Sequence, residues 1–381
     1  MKKQIKIYLI IIFLSISFSL YLFEAYLIYF KTPGFNFLRS LEYKYKTGKK
    51  FDTRSLYKIY DDNKKNNQNI TVTASPANIL KKENIEIYRL SGKSNSRTIN
   101  CNENGYYSVY QSDRYGFNNP DDEWNKDLIE YVIIGDSFAH GACVNRPFDI
   151  SSKLRDLTKK PVINLGYGGN GPLIEYATLR EYFPNKANKL IWLYYEGNDN
   201  YDLKNELKNG ILKKYFFSDN YSQNLRDKQL KINKMVDELI SKYKPKKQTN
   251  KKYLKKIISF IKLYKVRSTF LHKNQKKQID IYDEFEQLTL LIKKFADLNN
   301  SKLYFVYLPD IQRYKNKNYD NFNYLTIKKL IEKLEIEFID IHKEVFMTQE
   351  KPLKLFPFRI YRHYTVDGYS KVAYKIYQNT K

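Results

Sequence analysis

Ser137 has the residue type and the setting of a nucleophile. It follows Gly135 and Asp136 at the end of residues 128–134, a largely apolar run rich in β-branched residues. This pattern predicts a buried strand that ends in a turn, before a helical pattern that includes Ile150 and Leu154. A hydroxyl at such a turn stands beside free backbone N–H groups, as nucleophilic catalysis requires. Turns also favour Gly, Asp and Ser without any chemistry, so the neighbouring loops must decide.

Two further polar loops follow predicted strands. Residues 161–165 lead into residues 166–172, which contain four glycines, and residues 189–195 lead into Glu196-Gly-Asn-Asp-Asn200. The glycines leave backbone N–H groups available to an anion, but the loop lacks the order of a nucleotide-binding motif. The carboxyl ends of parallel strands meet at one edge of a sheet. We therefore expect all three loops to face one crevice.

The elements that position these loops alternate along the chain. Strand patterns at 302–308 and 336–341 are separated from each other and from the earlier strands by helical patterns. This alternation predicts an α/β fold with a doubly wound parallel sheet between two layers of helices, over residues 128–381. A lysine-rich helical insert without strands occupies about residues 201–278.

The amino terminus predicts a single-pass membrane anchor over residues 1–30. Lysines at positions 2, 3 and 6 precede an uncharged stretch from Ile7 to Phe23, and apolar residues resume after Glu24. Roughly 20 apolar residues suffice to cross a bilayer. Small-x-small cleavage signals are missing after the apolar core, so we expect an uncleaved signal-anchor that contacts the membrane through residues 5–30. The amino-terminal lysines favour an extracytoplasmic location for the rest of the chain.

Residues 31–127 predict a stalk and a small β-rich appendage without any long helix. Residues 70–73 and 85–88 alternate as strands do, between turn-forming residues. For Arg114, structural and functional roles are equally compatible with its turn-rich context. Cys101 and Cys143 are the two cysteines of the chain, and they either form one disulfide or remain two buried thiols.

The formal net charge of +26 comes mainly from lysines that are spread along the chain among 41 acidic residues. Nucleic-acid motifs do not accompany this charge, so we expect no nucleic-acid partner. One amphipathic segment has Leu254, Ile257, Ile258, Ile261 and Tyr264 at helical spacing between lysines. It could rest on an anionic membrane, but we expect it to cover its own domain.

Over residues 128–381 the chain resembles the SGNH, or GDSL-type, hydrolase superfamily, and in particular its membrane-anchored bacterial members. Four motifs carry the resemblance in the order the family has them: Gly135-Asp-Ser137, Asn164-Leu-Gly-Tyr-Gly-Gly169, Glu196-Gly-Asn-Asp199 and Ile360-Tyr-Arg-His363. Glu196 replaces the usual glycine of the third motif. Ile360 replaces the aspartate that usually precedes the catalytic histidine.

The resemblance implies a role for each matching residue. Ser137 is the nucleophile and His363 the base, while Ser137, Gly169 and Asn198 donate to the oxyanion. Asp136 and Asp199 support the loops. Because Ile360 cannot orient the histidine, we expect a Ser137–His363 dyad; the alternative is a third member supplied by a more distant carboxylate, Asp340 or Asp367.

The function implied is a serine esterase that removes O-acyl groups, such as acetyl, from an envelope or extracellular glycan through an acyl-enzyme. Neither a cofactor nor a metal is expected. An O-acetyltransferase would use the same site, because both reactions share the first half-reaction, and it would need an acyl donor, which a membrane partner could deliver. The third alternative is a catalytically idle, carbohydrate-binding envelope scaffold, which the isoleucine at position 360 favours.

Overall fold

The computed structural model describes residues 2–28, 37–66, 68–82, 85–242, 250–271 and 281–381. These residues fall into two compact units. One comprises residues 1–53 and 243–279, and the other comprises residues 54–242 and 280–381. The predicted boundaries at residues 30 and 127 do not coincide with these units. Residues 29 and 30 of the predicted anchor, and residues 243–249 and 272–278 of the predicted insert, lie outside the described residues.

The strands are β1 (Ile70–Val72), β2 (Arg97–Ile99), β3 (Val109–Gln111), β4 (Ile129–Gly135), β5 (Val162–Asn164), β6 (Ala187–Tyr195), β7 (Lys302–Leu308) and β8 (Glu337–Asp340). The α-helices are α1 (Lys2–Tyr26), α2 (Phe37–Thr47), α3 (Leu56–Lys64), α4 (Ser137–His140), α5 (Ile150–Thr158), α6 (Pro172–Tyr182), α7 (Asp199–Glu206), α8 (Gly210–Phe217), α9 (Gln229–Lys242), α10 (Asn250–Ile261), α11 (Tyr264–Leu271), α12 (Tyr282–Leu298), α13 (Gln312–Lys315), α14 (Phe322–Lys333) and α15 (Val366–Asn379).

A five-stranded parallel sheet forms the centre of the larger unit. Its strand order is β5-β4-β6-β7-β8, and every neighbouring pair is parallel. The order reverses at β4, which lies between β5 and β6, so that a crevice opens at the carboxyl ends of β4 and β6. The predicted α/β fold with a doubly wound parallel sheet is therefore confirmed.

Both faces of this sheet are covered, which explains why its strands are nearly continuous apolar runs. On one face, Ile133 and Ile191 pack in a cluster with residues of α5 and α15. On the other face, the Trp192 ring lies 5.5 Å from that of Phe285 of α12, and its indole N–H donates to Glu175 of α6 at 2.7 Å. Alternate residues of each strand thus serve opposite layers, as the pleat requires.

A second, three-stranded sheet lies upstream in the same unit. β1 pairs parallel with β2, and β2 pairs antiparallel with β3. The region of residues 31–127 thus contains β-structure, although residues 85–88 form no strand, and its division into a stalk and an appendage stays a prediction. The region also contains two helices of ordinary length that the sequence analysis did not predict, α2 with 11 residues and α3 with nine. Both are rich in tyrosine and lysine, and their short amphipathic patterns did not stand out against the composition of the whole chain.

The smaller unit contains the predicted anchor. α1 has 25 residues, and residues 4–26 are long and apolar enough to cross a membrane. α10 and α11 pack against α1 in this unit. The expectation that the amphipathic segment covers its own domain was wrong: Leu254, Ile257 and Ile261 are 58%, 55% and 59% exposed. These residues form an apolar face of α10, next to the face through which α10 contacts α1.

Candidate active site

Ser137 is the first residue of α4, immediately after β4 ends at Gly135. Gly135 has φ +150, and a Cβ there would lie 2.9 Å from the Leu193 carbonyl oxygen, so the turn requires glycine. Asp136 caps α4 by accepting the Phe138 N–H at 2.9 Å. This tight turn brings the Ser137 hydroxyl to the edge of the sheet, where it is only partly buried. The predicted strand-to-helix position of the serine is thus confirmed.

His363 lies within hydrogen-bonding distance of Ser137. Its Nε2 atom is 2.9 Å from the Ser137 Oγ atom, although the two residues are 226 positions apart. Thr365, two residues later, caps α15 through its hydroxyl and so fixes where the histidine loop ends. The Phe138 ring packs against the imidazole at a centroid distance of 5.2 Å. The two residues that the motifs suggested as nucleophile and base are therefore placed together.

Glu103 is the carboxylate that the sequence analysis missed. Its Oε1 atom lies 3.0 Å from His363 Nδ1, and its Oε2 atom accepts the His363 backbone N–H at 3.1 Å. The carboxylate therefore holds both the ring and the main chain of the histidine. An N–H on Nδ1 leaves Nε2 as the acceptor for the serine proton. The geometry is that of a Ser137–His363–Glu103 triad, in which Glu103 replaces the carboxylate expected at position 360.

The only sequence signal for Glu103 was indirect. Glu103 lies two residues after Cys101, and Cys143 lies six residues after Ser137. A disulfide between these cysteines brings the glutamate loop to the serine loop, and the structure contains this bond. Of the two states that the sequence left open for Cys101 and Cys143, the structure therefore has the disulfide. Glu103, close to the first cysteine, was therefore a possible partner for the histidine. No sequence motif around Glu103 distinguished it from the other carboxylates of the chain.

The electrostatics of His363 fit the role of a base. Burial by itself lowers the pKa of the imidazole, but the charge of Glu103 and its hydrogen bond outweigh burial, and Asp136 adds to them. The net result is a pKa raised above the ordinary value of 6.5. Glu103 thus favours the protonated, imidazolium form of His363.

Cys101, Cys143 and His363 also form the one group of potential metal ligands in the part of the chain that the structure describes, with ligand atoms within 4.8 Å of one another. The two sulfur atoms are joined in a disulfide, however, and metals bind cysteine as the thiolate. The Cys143 sulfur lies 3.9 Å from His363 Nδ1. In the disulfide form the group therefore positions the Glu103 loop and does not match a metal centre.

His140 is close to Ser137 in sequence, but its environment differs from that of His363. It is fully buried, its Nδ1 accepts the Gly168 N–H at 3.3 Å, and its Nε2 lies 2.9 Å from the Tyr110 hydroxyl. Burial, reinforced by the charge of His363, lowers the pKa of His140 to about 3, although Asp149 opposes the shift. His140 is thus a neutral packing residue, in agreement with a structural role.

The predicted oxyanion donors on the loops, Gly169 and Asn198, have different surroundings. A Cβ on Gly168 would lie 3.9 Å from the Ser137 Cβ, whereas a Cβ on Gly169 would meet Ser75. Gly168 is therefore the glycine beside the nucleophile, and the assignment of Gly169 as donor stays a prediction. Asn198 lies in the loop after β6, immediately before α7, and its side-chain amide donates to Asp202. A side-chain amide has two hydrogens, so one remains for an oxyanion.

Asp136 and Asp199 are both buried, at the turns that follow β4 and β6. Asp199 accepts the Tyr195 N–H at 2.6 Å and so fixes the loop after β6. Burial, together with Glu175 and Asp136, raises the pKa of Asp199 well above its ordinary value. Burial also raises the pKa of Asp136. Their side chains bind the turns that carry Ser137 and Asn198, and the supporting roles assigned to both residues stay predictions.

Glu196 replaces the usual glycine of the third motif, and its contacts explain the replacement. Its carboxylate forms an ion pair with Arg313, whose Nε lies 3.1 Å from Oε2, and the same oxygen accepts the Asp310 N–H at 3.0 Å. Both side chains of the ion pair are almost completely buried. The glutamate therefore joins the loop after β6 to the loop after β7, a role that a glycine could not perform.

The other candidate carboxylates lie elsewhere. Asp367 is exposed and pairs with Lys371 at 2.7 Å. Asp340 accepts hydrogen bonds from the Tyr324 hydroxyl and the Lys343 N–H. Arg114, for which two roles were open, pairs with Asp121 at 2.8 Å and therefore has a structural partner. Glu103 occupies the place beside the histidine that Asp340 or Asp367 would have needed.

No family model matches the chain, and no curated protein matches it. Among solved structures, it is similar to a protein described as lipolytic and of the G-D-S-L family from Desulfitobacterium hafniense DCB-2, with 12% identity and a TM-score of 0.33. It is also similar to an acetyl xylan esterase, with 14% identity and a TM-score of 0.36. Each match covers 66% of this chain and 98% of the other.

Likeness at this level says nothing about the reaction of this chain. In this chain, Ser137 stands at the switch point of a parallel sheet, with His363 2.9 Å from its hydroxyl and the Glu103 carboxylate 3.0 Å from the far side of the imidazole.

Proposed function

We propose that this chain is a serine esterase of the SGNH superfamily that acts on O-acyl groups of an extracytoplasmic glycan. The observation that carries the esterase proposal is the alignment of Ser137, His363 and Glu103 at hydrogen-bonding distances. Nucleophile, base and orienting carboxylate in this order are the recurrent arrangement of acyl-transfer enzymes on unrelated folds.

In the proposed mechanism, the Ser137 oxygen attacks the ester carbonyl carbon while His363 Nε2 takes the hydroxyl proton. The carbonyl oxygen becomes an oxyanion that accepts from the Ser137 N–H, a glycine N–H of the 166–169 loop and the Asn198 amide. One such donor is typically worth about 3 kcal/mol. The C–O bond to the sugar then breaks, and His363 returns the proton to the leaving alkoxide.

Water completes the cycle. His363 removes a proton from the water molecule as its oxygen attacks the acyl-enzyme, and the Ser137 oxygen leaves with that proton as the carboxylic acid departs. A sugar hydroxyl in place of water would give an O-acetyltransferase with the same residues. The Glu103 carboxylate beside His363 favours an active enzyme over the idle-scaffold alternative.

The extracytoplasmic location is part of the proposal. A helix that can cross a membrane precedes the domain, and the Cys101–Cys143 disulfide is of the kind that persists in oxidising compartments. The glycan substrate rests on the resemblance to membrane-anchored bacterial members of the superfamily and needs its own test.

The decisive experiment measures hydrolysis of a short-chain chromogenic acyl ester by the full chain in detergent. Ser137→Ala and His363→Ala should each reduce kcat on the order of 10⁴-fold or more. Ser370→Ala and His342→Gln, which replace the same residue types away from the site, should retain activity. Equal turnover by Ser137→Ala and the wild-type protein would refute the proposal.

A second assay addresses the substrate and the fate of the acyl group. The wild-type protein is incubated with O-acetylated oligosaccharides, with and without an unacetylated acceptor, and the products are separated by mass. Free acetate in both reactions supports the esterase. Acetyl groups that appear on the acceptor, with little free acetate, would identify the transferase instead.

A further inference from the structure

The smaller unit has a helix whose apolar face is uncovered. Leu254, Ile257, Ile258 and Ile261 lie at helical spacing on one side of α10, and each is between 41% and 59% exposed. Surface helices of soluble domains normally bury such a stripe against their own core. The apolar face of α10 therefore needs an occupant other than the described residues of its own unit.

The position of α10 indicates which occupant fits. The Phe260 ring packs against that of Tyr21 at 5.6 Å, and the Tyr21 hydroxyl donates to the Ile261 carbonyl at 2.9 Å. Tyr21 lies near the carboxyl end of residues 4–26, the segment that can cross a membrane. A span of this length ends close to the boundary of a hydrocarbon core of roughly 30 Å, at 1.5 Å per residue. Its partner α10 is therefore at the level of that boundary.

Glu24 joins α1 to α11, the helix that follows α10. Its buried carboxylate accepts the N–H groups of Lys265 and Val266 at 2.9 and 2.7 Å. An anionic group at the start of a helix satisfies orphan donors and the helix dipole. The charged residue within the apolar amino-terminal segment thus has a specific partner. The contact attaches residues 250–271 to the end of the span.

The charges of residues 250–271 indicate what kind of membrane surface α10 would bind. Residues 250–271 include seven basic residues and no acidic residue. Lys255 and Lys262 lie beside the apolar stripe and Lys256 lies opposite it, in the helical order of α10. An amphipathic helix that is apolar on one side and lysine-rich on the other binds in the plane of an anionic bilayer surface. Each lysine near such a surface adds to the attraction.

We infer that α10 is an interfacial membrane helix. It lies along the bilayer surface beside α1, with Leu254, Ile257, Ile258 and Ile261 among the acyl chains and its lysines at anionic headgroups. The chain is thus held to the membrane at two places that are more than 200 residues apart in sequence. This inference is independent of the esterase proposal, because it uses only residues of the smaller unit.

The test measures how deep each side of α10 lies when the full chain is reconstituted in vesicles. A fluorophore is attached to Ile258→Cys on the apolar side or, as the matched control, to Lys256→Cys on the opposite side. Brominated phosphatidylcholine quenches fluorophores among the acyl chains, whereas acrylamide quenches those in water. We expect several-fold stronger quenching of the Ile258 probe than of the Lys256 probe by the brominated lipid, and the reverse order with acrylamide.

Two results would overturn the inference. Equal acrylamide quenching of both probes would place the apolar side of α10 in water. Protection of the Ile258 probe from both quenchers would mean that protein covers it, either a second copy of the chain or a partner. The same measurement with and without phosphatidylglycerol tests the headgroups: deeper placement with the anionic lipid is expected, and no change would refute the lysine contribution.

Discussion

The rim of the five-stranded sheet and the upstream three-stranded sheet contribute to the active site in different ways. The rim supplies Ser137 and the loop of Asn198, each at the carboxyl end of a strand. The upstream region supplies Glu103 from the connection between β2 and β3, which is joined to the rim by the Cys101–Cys143 disulfide. The rim residues are placed by regular secondary structure, whereas Glu103 is placed by a covalent link and by loop packing.

The difference reflects what each group must do. The nucleophile needs a tight turn and nearby N–H groups, which only a strand-to-helix junction provides. The orienting carboxylate needs only to accept a hydrogen bond from Nδ1 and to carry a charge. It can therefore come from any segment that reaches the histidine. Isoleucine at position 360 is acceptable in this chain because another part of the chain meets that need.

Removing the carboxylate tests this comparison most strongly. Glu103→Gln should lower kcat for a chromogenic ester by about 10²- to 10⁴-fold, because an amide neither fixes the tautomer of His363 nor stabilises the imidazolium. Asp367→Asn, the matched control at a carboxylate considered from sequence, should leave kcat unchanged. If the Asp367 variant is the inactive one, the triad has been assigned to the wrong region.

Breaking the covalent link should have the next largest effect. Replacing Cys101 and Cys143 together with serine opens a loop with a sequence separation of 42 and should lower the free energy of unfolding by about 4 kcal/mol. We also expect a lower kcat, because the loop that carries Glu103 loses its attachment. In the Glu103→Gln background the same replacements should not reduce kcat further. An additional loss there would show that the disulfide acts on catalysis by another route.

The pH dependence of kcat/KM sharpens the comparison further. Only neutral His363 can accept the serine proton, so activity should rise with pH through the pKa of this histidine, which lies above 6.5 in the wild-type protein. Since Glu103 raises that pKa, Glu103→Gln should move the rising limb to lower pH while the maximum falls. A limb that stays in place would mean that another group sets the pKa.

The smallest effect on catalysis is expected at a second contact between the same two regions. The Tyr110 hydroxyl, on β3, lies 2.9 Å from Nε2 of His140. Tyr110→Phe leaves that buried nitrogen without its partner and should cost about 1–3 kcal/mol in the free energy of unfolding. Activity of the folded variant should equal that of the wild-type protein. Reduced kcat in a fully folded Tyr110→Phe protein would assign His140 a part in the reaction.

Much of the sheet could be predicted from the sequence. The apolar runs at 128–134, 189–195 and 302–308 correspond to β4, β6 and β7 with shifts of at most two residues at the ends. Strands buried on both faces have few polar interruptions, so local composition identifies them. The short strands β2 and β3 and the helices α2 and α3 were missed, because segments this short and polar have no distinct period.

The sequence by itself determined the strand-to-helix turn at Ser137, the crevice at the strand ends and the apolar anchor. Each depends on neighbouring residues, whose periodicity and turn chemistry act over a few positions. Only the tertiary structure decided that Glu103 orients His363, 260 positions away, that Glu196 pairs with Arg313, and that α10 lies against α1. Such contacts arise from packing between distant segments, and a lone glutamate or lysine-rich helix gives no local sign of its partner.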